Sequence, residues 1–132
     1  MEITRKNILL VDDEDFYREL LIDEIPKETT IKLADISTAA SGAEAISLLE
    51  SGRTFDLIIS DYSMPNGTGV DILKYLNRTE NSTRLVLFTN SIDFEVPTQN
   101  ENFLGVIDKF DLHSLITTIQ SCLRSEKAFK AS

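Results

Sequence analysis

The chain has 132 residues, 42% hydrophobic and 27% charged, which suits one domain with a core of its own. Its 22 acids and 13 bases leave a formal charge of −9, which speaks against a non-specific nucleic-acid surface, since neutralising phosphates needs clustered Lys and Arg. One cysteine, Cys122, rules out an internal disulfide, no Cys/His cluster suggests zinc, and no apolar run reaches the roughly 18 residues of a membrane span.

A strand is expected at about Asn7–Val11, apolar throughout as befits a strand covered on both faces. Phe16, Leu20, Leu21 and Ile25 then recur at helical spacing, predicting a helix over Phe16–Ile25 that stops before Pro26. Leu33–Thr38 reads as a weaker second strand. Ser41-Gly42-Ala43-Glu44 is a capping-box pattern; its helix runs to about Glu50 with Ala45, Ile46 and Leu49 inward and Gly52 as a left-handed stop. The third strand, Leu57–Asp61, ends in an acid and meets a turn-rich loop, Met64-Pro65-Asn66-Gly67-Thr68-Gly69.

A helix over Val70–Asn77 leads to a fourth strand, Leu85–Thr89. The polar stretch Asn90–Asn102, interrupted by Pro97, supports only a short or irregular fourth helix. A fifth strand, Gly105–Asp108, precedes a strong helix from Leu112 to Leu123, with Asp111 as its cap and Leu112, Leu115, Ile116, Ile119 and Leu123 in one stripe. Residues 1–124 are expected to form the domain and 125–132 a polar tail. Cys122 reads as helix packing and His113 as solvated.

Strict alternation of strands and helical segments predicts an α/β fold: a doubly wound parallel sheet of five strands with helices on both faces, in three layers. Ligands of such sheets bind beyond the carboxyl ends of the strands. Asp12, Asp13, Asp61, Thr89 and Lys109 all fall there. Crowded carboxylates repel unless a cation intervenes, and a hard divalent ion such as Mg2+ accepts one or two carboxylates together with a phosphate oxygen. Lys109 adds a mobile positive charge and Thr89 a hydroxyl donor. This set suits transfer of a phosphoryl group to a carboxylate, with Asp61 as the nucleophile.

Several segments carry a family resemblance: Leu9-Leu10-Val11-Asp12-Asp13-Glu14, Thr38-Ala39-Ala40-Ser41-Gly42-Ala43-Glu44-Ala45, Asp56-Leu57-Ile58-Ile59-Ser60-Asp61-Tyr62-Ser63-Met64-Pro65, Gly69, Thr89 and Lys109. Over essentially its whole length the chain resembles the receiver domains of bacterial two-component response regulators, chemotaxis regulators included. The resemblance implies a flavodoxin-like sheet in the order 2-1-3-4-5. It implies Asp61 as phosphoacceptor, with Mg2+ (Mn2+ as a substitute) held by Asp12, Asp13, Asp61 and the backbone carbonyl of Ser63. Thr89 and Lys109 would sense the phosphoryl group.

The implied donor is a histidine kinase or phosphotransfer protein, and the implied output is contact with another protein through the Asn90–Leu123 face. No direct DNA or membrane contact by this chain is expected. The expected state is a monomer or a phosphorylation-dependent dimer. The expected location is the cytoplasm, because the N-terminal segment is too short in its apolar part for a signal peptide. Such a domain is a regulatory phosphoacceptor that assists its own phosphorylation and slow autodephosphorylation.

Three positions depart from the pattern. Asn90 follows the threonine where Ala or Gly is usual, Val106 stands where a switching aromatic is common, and Phe110 follows the lysine in place of proline. A cis bond before a non-proline residue costs about 3–4 kcal/mol, so a trans bond is expected there. Two other functions fit parts of the sequence. One is a degenerate receiver acting as a phosphorylation-independent adaptor. The other is a Mg2+-dependent phosphohydrolase, although the second acid such enzymes place two residues after the nucleophile is here Ser63.

Overall fold

The structure, a computed structural model, describes residues 6–91 and 100–131, with side chains through residue 124. Five strands, β1 (Ile8–Val11), β2 (Ile36–Ala39), β3 (Leu57–Ser60), β4 (Arg84–Thr89) and β5 (Phe103–Asp108), form one sheet in the order β2-β1-β3-β4-β5. Every pairing is parallel. Helices α1 (Asp15–Glu28) and α4 (Leu112–Ala131) cover one face; α2 (Gly42–Glu50) and α3 (Gly69–Arg78) cover the other. This is the doubly wound, flavodoxin-like arrangement expected. The stretch in which a short fourth helix was expected includes residues 92–99, which lie outside the described residues.

Side-chain alternation in the strands decides what each face receives. Ile8 and Leu10 of β1, Leu57 and Ile59 of β3, and Val86 and Phe88 of β4 pack under α1 and α4 with Leu21, Ile25, Leu115 and Ile119. Leu9, Val11, Ile58, Leu85 and Leu87 pack under α2 and α3 with Ala45, Leu49, Ile72, Leu73 and Leu76. Burying one such aliphatic side chain fully is worth roughly 1.5–3 kcal/mol, so the three central strands anchor the domain.

Edge strand β5 contains an irregularity in its register with β4. Phe103 pairs with Leu85, but the next partner of β4, Val86, pairs with Gly105, so Leu104 is an extra residue. Gly105 carries the positive φ of +127° that this bulge requires. The extra residue reverses which face each later side chain meets. Phe103 packs against the α2/α3 core, whereas Ile107, four residues on, packs against the α1/α4 core.

Several expectations are corrected. Helix α1 continues through Pro26 to Glu28, because a proline in the last turn forfeits a single backbone bond there. Thr29 closes that end, its amide and hydroxyl both donating to the Ile25 carbonyl at 3.0 and 2.8 Å. Phe16, expected inward, is 66% exposed; Leu21 and Ile25 hold the core while Tyr17 and Ile22 pack against it. A 3-10 turn, Leu33–Asp35, replaces the start of the second strand and leaves Leu33 exposed.

The last helix extends past Leu123 to Ala131, since no Gly or Pro follows to stop it. The Ser41 hydroxyl caps α2 by accepting from the Glu44 amide at 3.1 Å, and the Glu44 carboxylate accepts from Ala40 N at 3.2 Å. Helix α3 has the complete capping box, between Thr68 and Asp71. No cis peptide occurs among the described residues, so the Lys109–Phe110 bond is trans as expected.

Candidate functional site

Three buried charged residues each continue a strand ladder by one hydrogen bond. Asp12 N donates to Ala39 O at 3.1 Å, Asp61 N to Val11 O at 2.9 Å, and Lys109 N to Thr89 O at 3.1 Å. The sheet thus fixes their backbones before any side-chain contact is made. Alternation then sends all three side chains toward the α1 side: Asp12 follows Ile8 and Leu10, Asp61 follows Leu57 and Ile59, and Lys109 follows Ile107. For Lys109 this phase depends on the bulge at Leu104.

The Lys109 ammonium lies 2.7 Å from Asp61 Oδ2, 2.8 Å from Asp12 Oδ2 and 3.6 Å from Glu14 Oε2, and its side chain is 1% exposed. The ring of Tyr17 forms another wall, with its centroid 3.8 Å from Nζ. Each buried carboxylate divides its oxygens in the same way. Oδ2 meets the lysine, while Oδ1 accepts a backbone amide, from Glu14 at 2.9 Å for Asp12 and from Tyr62 at 2.6 Å for Asp61.

Burial raises the Asp12 carboxyl above its ordinary value, against the opposing pull of Lys109 and the Glu14 amide, and the Asp61 charge adds to the rise. Burial alone would lower the Lys109 ammonium. Its hydrogen bonds to Asp12 and Asp61, together with the negative charges of those carboxylates, outweigh that and hold it above its ordinary value, so it stays charged.

The loop after Asp61 is docked rather than free. Gly42 N and Ala43 N, in the first turn of α2, donate to Gly67 O and Asn66 O at 3.0 and 2.9 Å. Gly69 approaches so closely that a Cβ there would lie 2.6 Å from the Asp61 carbonyl and 2.5 Å from a Leu87 methyl. Only glycine fits that approach.

Of the residues singled out in the sequence, Asp12, Asp61 and Lys109 converge directly. Asp13 is exposed at the rim, yet one oxygen from each of Asp12, Asp13 and Asp61 lies within 4.8 Å of the others. Three carboxylate oxygens at that separation suit a hard divalent cation such as Mg2+ and fit no soft metal. Thr89 is buried at the end of β4, where its hydroxyl accepts from Ser91 N at 3.1 Å. Ser63 is exposed in the loop two residues beyond Asp61. Sequence reasoning missed Tyr17; the available signal was an aromatic one helical turn after Asp13, on a helix that starts at the site.

A family model for the response regulator receiver domain matches residues 8–120. The chain belongs to the response regulator receiver domain family. The response regulator protein PilR of Pseudomonas aeruginosa is 30% identical over 125 residues, covering 92% of this chain and 27% of that protein. The two-component response regulator ARR22 of Arabidopsis thaliana is 36% identical over 100 residues, covering 72% of this chain and 66% of its own length. The receiver therefore spans between 27% and 66% of these relatives.

Among solved structures, the response regulator TrrA of Thermotoga maritima, in complex with Mg2+ and BeF, superposes with a TM-score of 0.75 at 27% identity. That match covers 89% of this chain and 98% of TrrA. No helix among the described residues of the receiver is long and apolar enough to cross a membrane.

Proposed function

We propose that this receiver accepts a phosphoryl group on Asp61 from a histidine kinase or phosphotransfer protein and signals by contact with another protein. The observation that carries this reading is the Lys109 ammonium, buried and bonded at once to Asp61 and Asp12. An Asp61 carboxylate oxygen attacks phosphorus, the bond from phosphorus to the donor nitrogen breaks, and the departing imidazole keeps the electron pair and takes up a proton. Asp61 Oδ1 is held by the Tyr62 amide, which aims the carboxylate out of the end of β3.

Lys109 then faces an acyl phosphate, and its ammonium neutralises charge on the transferred oxygens. Asp12, Asp13, Asp61 and the carbonyl of Ser63 would hold Mg2+, or Mn2+ in its place, which when bound supplies further charge neutralisation at the phosphoryl oxygens. The Thr89 hydroxyl, which accepts from Ser91 N, has its own proton to donate toward the phosphoryl group. Its two bonds together would couple the site to the chain that follows β4. Water later cleaves the acyl phosphate slowly, because no acid stands at Ser63 to assist it.

The output face is formed by residues 90–123. Val106 is 39% and Phe110 87% exposed there, apolar groups available to a partner or to a second phosphorylated copy. The domain comprises residues 1–124, with 125–132 a polar extension in which α4 continues to Ala131, and works in the cytoplasm without contacting DNA or membrane. A radiolabelled small phosphodonor with Mg2+ tests the reading. Wild type takes up label, chelation of the metal stops uptake, and Asp61→Asn takes up none. Equal labelling of Asp61→Asn would overturn the assignment.

A further inference from the structure

The position where an aromatic often accompanies the lysine of this family holds Val106, and Val106 is turned outward. Yet an aromatic does meet the lysine, from a different element. The Tyr17 ring of α1 lies with its centroid 3.8 Å from Lys109 Nζ, inside the distance at which a cation is attracted by a ring face. Two edge-to-face contacts fix the ring's plane. Tyr17 meets Phe88 at 6.4 Å and 88°, and Phe16 at 5.1 Å and 85°. Phe88 is fully buried in β4, so the ring is braced by the core.

We infer that Tyr17 is a positioning residue: its ring face holds the Lys109 ammonium at the phosphoacceptor. This rests on the reading of Asp61 as the acceptor. The choice of an aromatic has a physical reason. Asp12, Asp61 and Glu14 already surround Nζ, and a further carboxylate would hold the lysine more firmly. It would also repel the anionic group the site must accept. A ring quadrupole attracts the ammonium while adding no net charge. It also excludes water from one side of the ammonium, which strengthens the attractions on the other sides.

Without the ring, Lys109 spends more of its time away from the position that neutralises the transferring group. Phosphorylation slows, although every charged group is still present. Only the ring face enters this account, so the phenol oxygen is dispensable.

The test compares Tyr17→Phe and Tyr17→Leu by the initial rate of labelling with a small phosphodonor and Mg2+. It is joined by a urea-unfolding cycle in which Tyr17→Leu and Lys109→Met are combined. Tyr17→Phe should label within about twofold of wild type and Tyr17→Leu about tenfold more slowly, the range expected of a desolvated cation–π contact. In the cycle, Tyr17→Leu should weaken the folding equilibrium about tenfold more when Lys109 is present than when it is methionine. A ring that merely packs on Phe88 would give the same loss in both backgrounds.

Labelling of Tyr17→Leu at the wild-type rate, a Tyr17→Phe as slow as the leucine variant, or additive losses in the cycle would each overturn the inference. A wild type that takes no label at Asp61 would instead refute the phosphoacceptor reading, with the urea cycle still deciding whether ring and ammonium are coupled.

Discussion

The Lys109 ammonium lies 2.7 Å from Asp61 Oδ2 although their strands, β5 and β3, are separated by β4. The lysine crosses the carboxyl end of β4, and it can do so because two independent features agree. Its amide bonds to Thr89 O, which fixes its height above the sheet, and the bulge at Leu104 fixes the face its side chain takes. Removing either feature separates a charge pair that burial makes costly to break.

Lys109 shares its carboxylates with any divalent cation that binds there. Lys109→Met should therefore bind Mg2+ about tenfold or more tightly than wild type, since one unit of positive charge leaves a poorly screened site. Titration calorimetry measures this directly. Unchanged Mg2+ affinity would mean that the ammonium and the cation do not share Asp12 and Asp61.

Gly105 has open space where a Cβ would stand, so its φ of +127° is the sole obstacle to substitution. Gly105→Ala should lower stability in urea by about 1–3 kcal/mol through backbone strain. Because the bulge sets the phase of Lys109, the folded fraction of the variant should also label more slowly. A variant that loses stability at full labelling rate would separate the two effects and deny the bulge its role in placing Lys109.

Gly69 is different, since a Cβ there would strike both the Asp61 carbonyl and Leu87. Gly69→Ala should lose about 1–3 kcal/mol by overpacking. It should also displace the loop that follows Asp61, seen as altered amide shifts at Tyr62 and Ser63. Unaltered stability and shifts would show that the chain relaxes there without strain.

Asp111 caps α4, accepting from the Ser114 hydroxyl at 2.6 Å and its amide at 3.1 Å. Those bonds, the hydroxyl first, lower its carboxyl below the ordinary 3.8. A carboxyl lowered by folding stabilises the protein above its unfolded value, and the benefit fades as pH falls through the lower folded value. Asp111→Ala should thus shift the urea midpoint most near neutral pH, with the gap to wild type closing below about pH 4. A gap that persists unchanged into acid would mean that the charge of Asp111 plays no part in the cap.

Most of this fold is legible in the sequence because the strands are fully buried. Runs such as Ile8–Val11 and Leu57–Ser60 need apolar residues on both faces and leave no ambiguity of type. Acids and a lysine closing such runs betray the site for the same reason: no core strand would carry them inside. The helix ends were less legible. Pro26 looks like a stop, yet it lies in a last turn that tolerates it, and Phe16 fits the apolar stripe by spacing but not by the actual rotation of α1.

The phase of Lys109 was hidden as well. Counting by twos from Phe103 sends it to the wrong face, and the extra residue Leu104 is recognisable only from the register with β4. Tyr17 escaped notice because its partner is 92 residues away in sequence, Lys109, and no local pattern links the two.

Mapping the modified residue after phosphodonor treatment tests the central claim most directly. Borohydride converts an aspartyl phosphate to the corresponding alcohol, so peptide sequencing by mass spectrometry should find homoserine at position 61 alone, and only when Mg2+ was present. Reduction at another acid, Asp12 or Asp13 included, or a wild type with no reduced residue, would contradict the assignment of Asp61 as the phosphoacceptor.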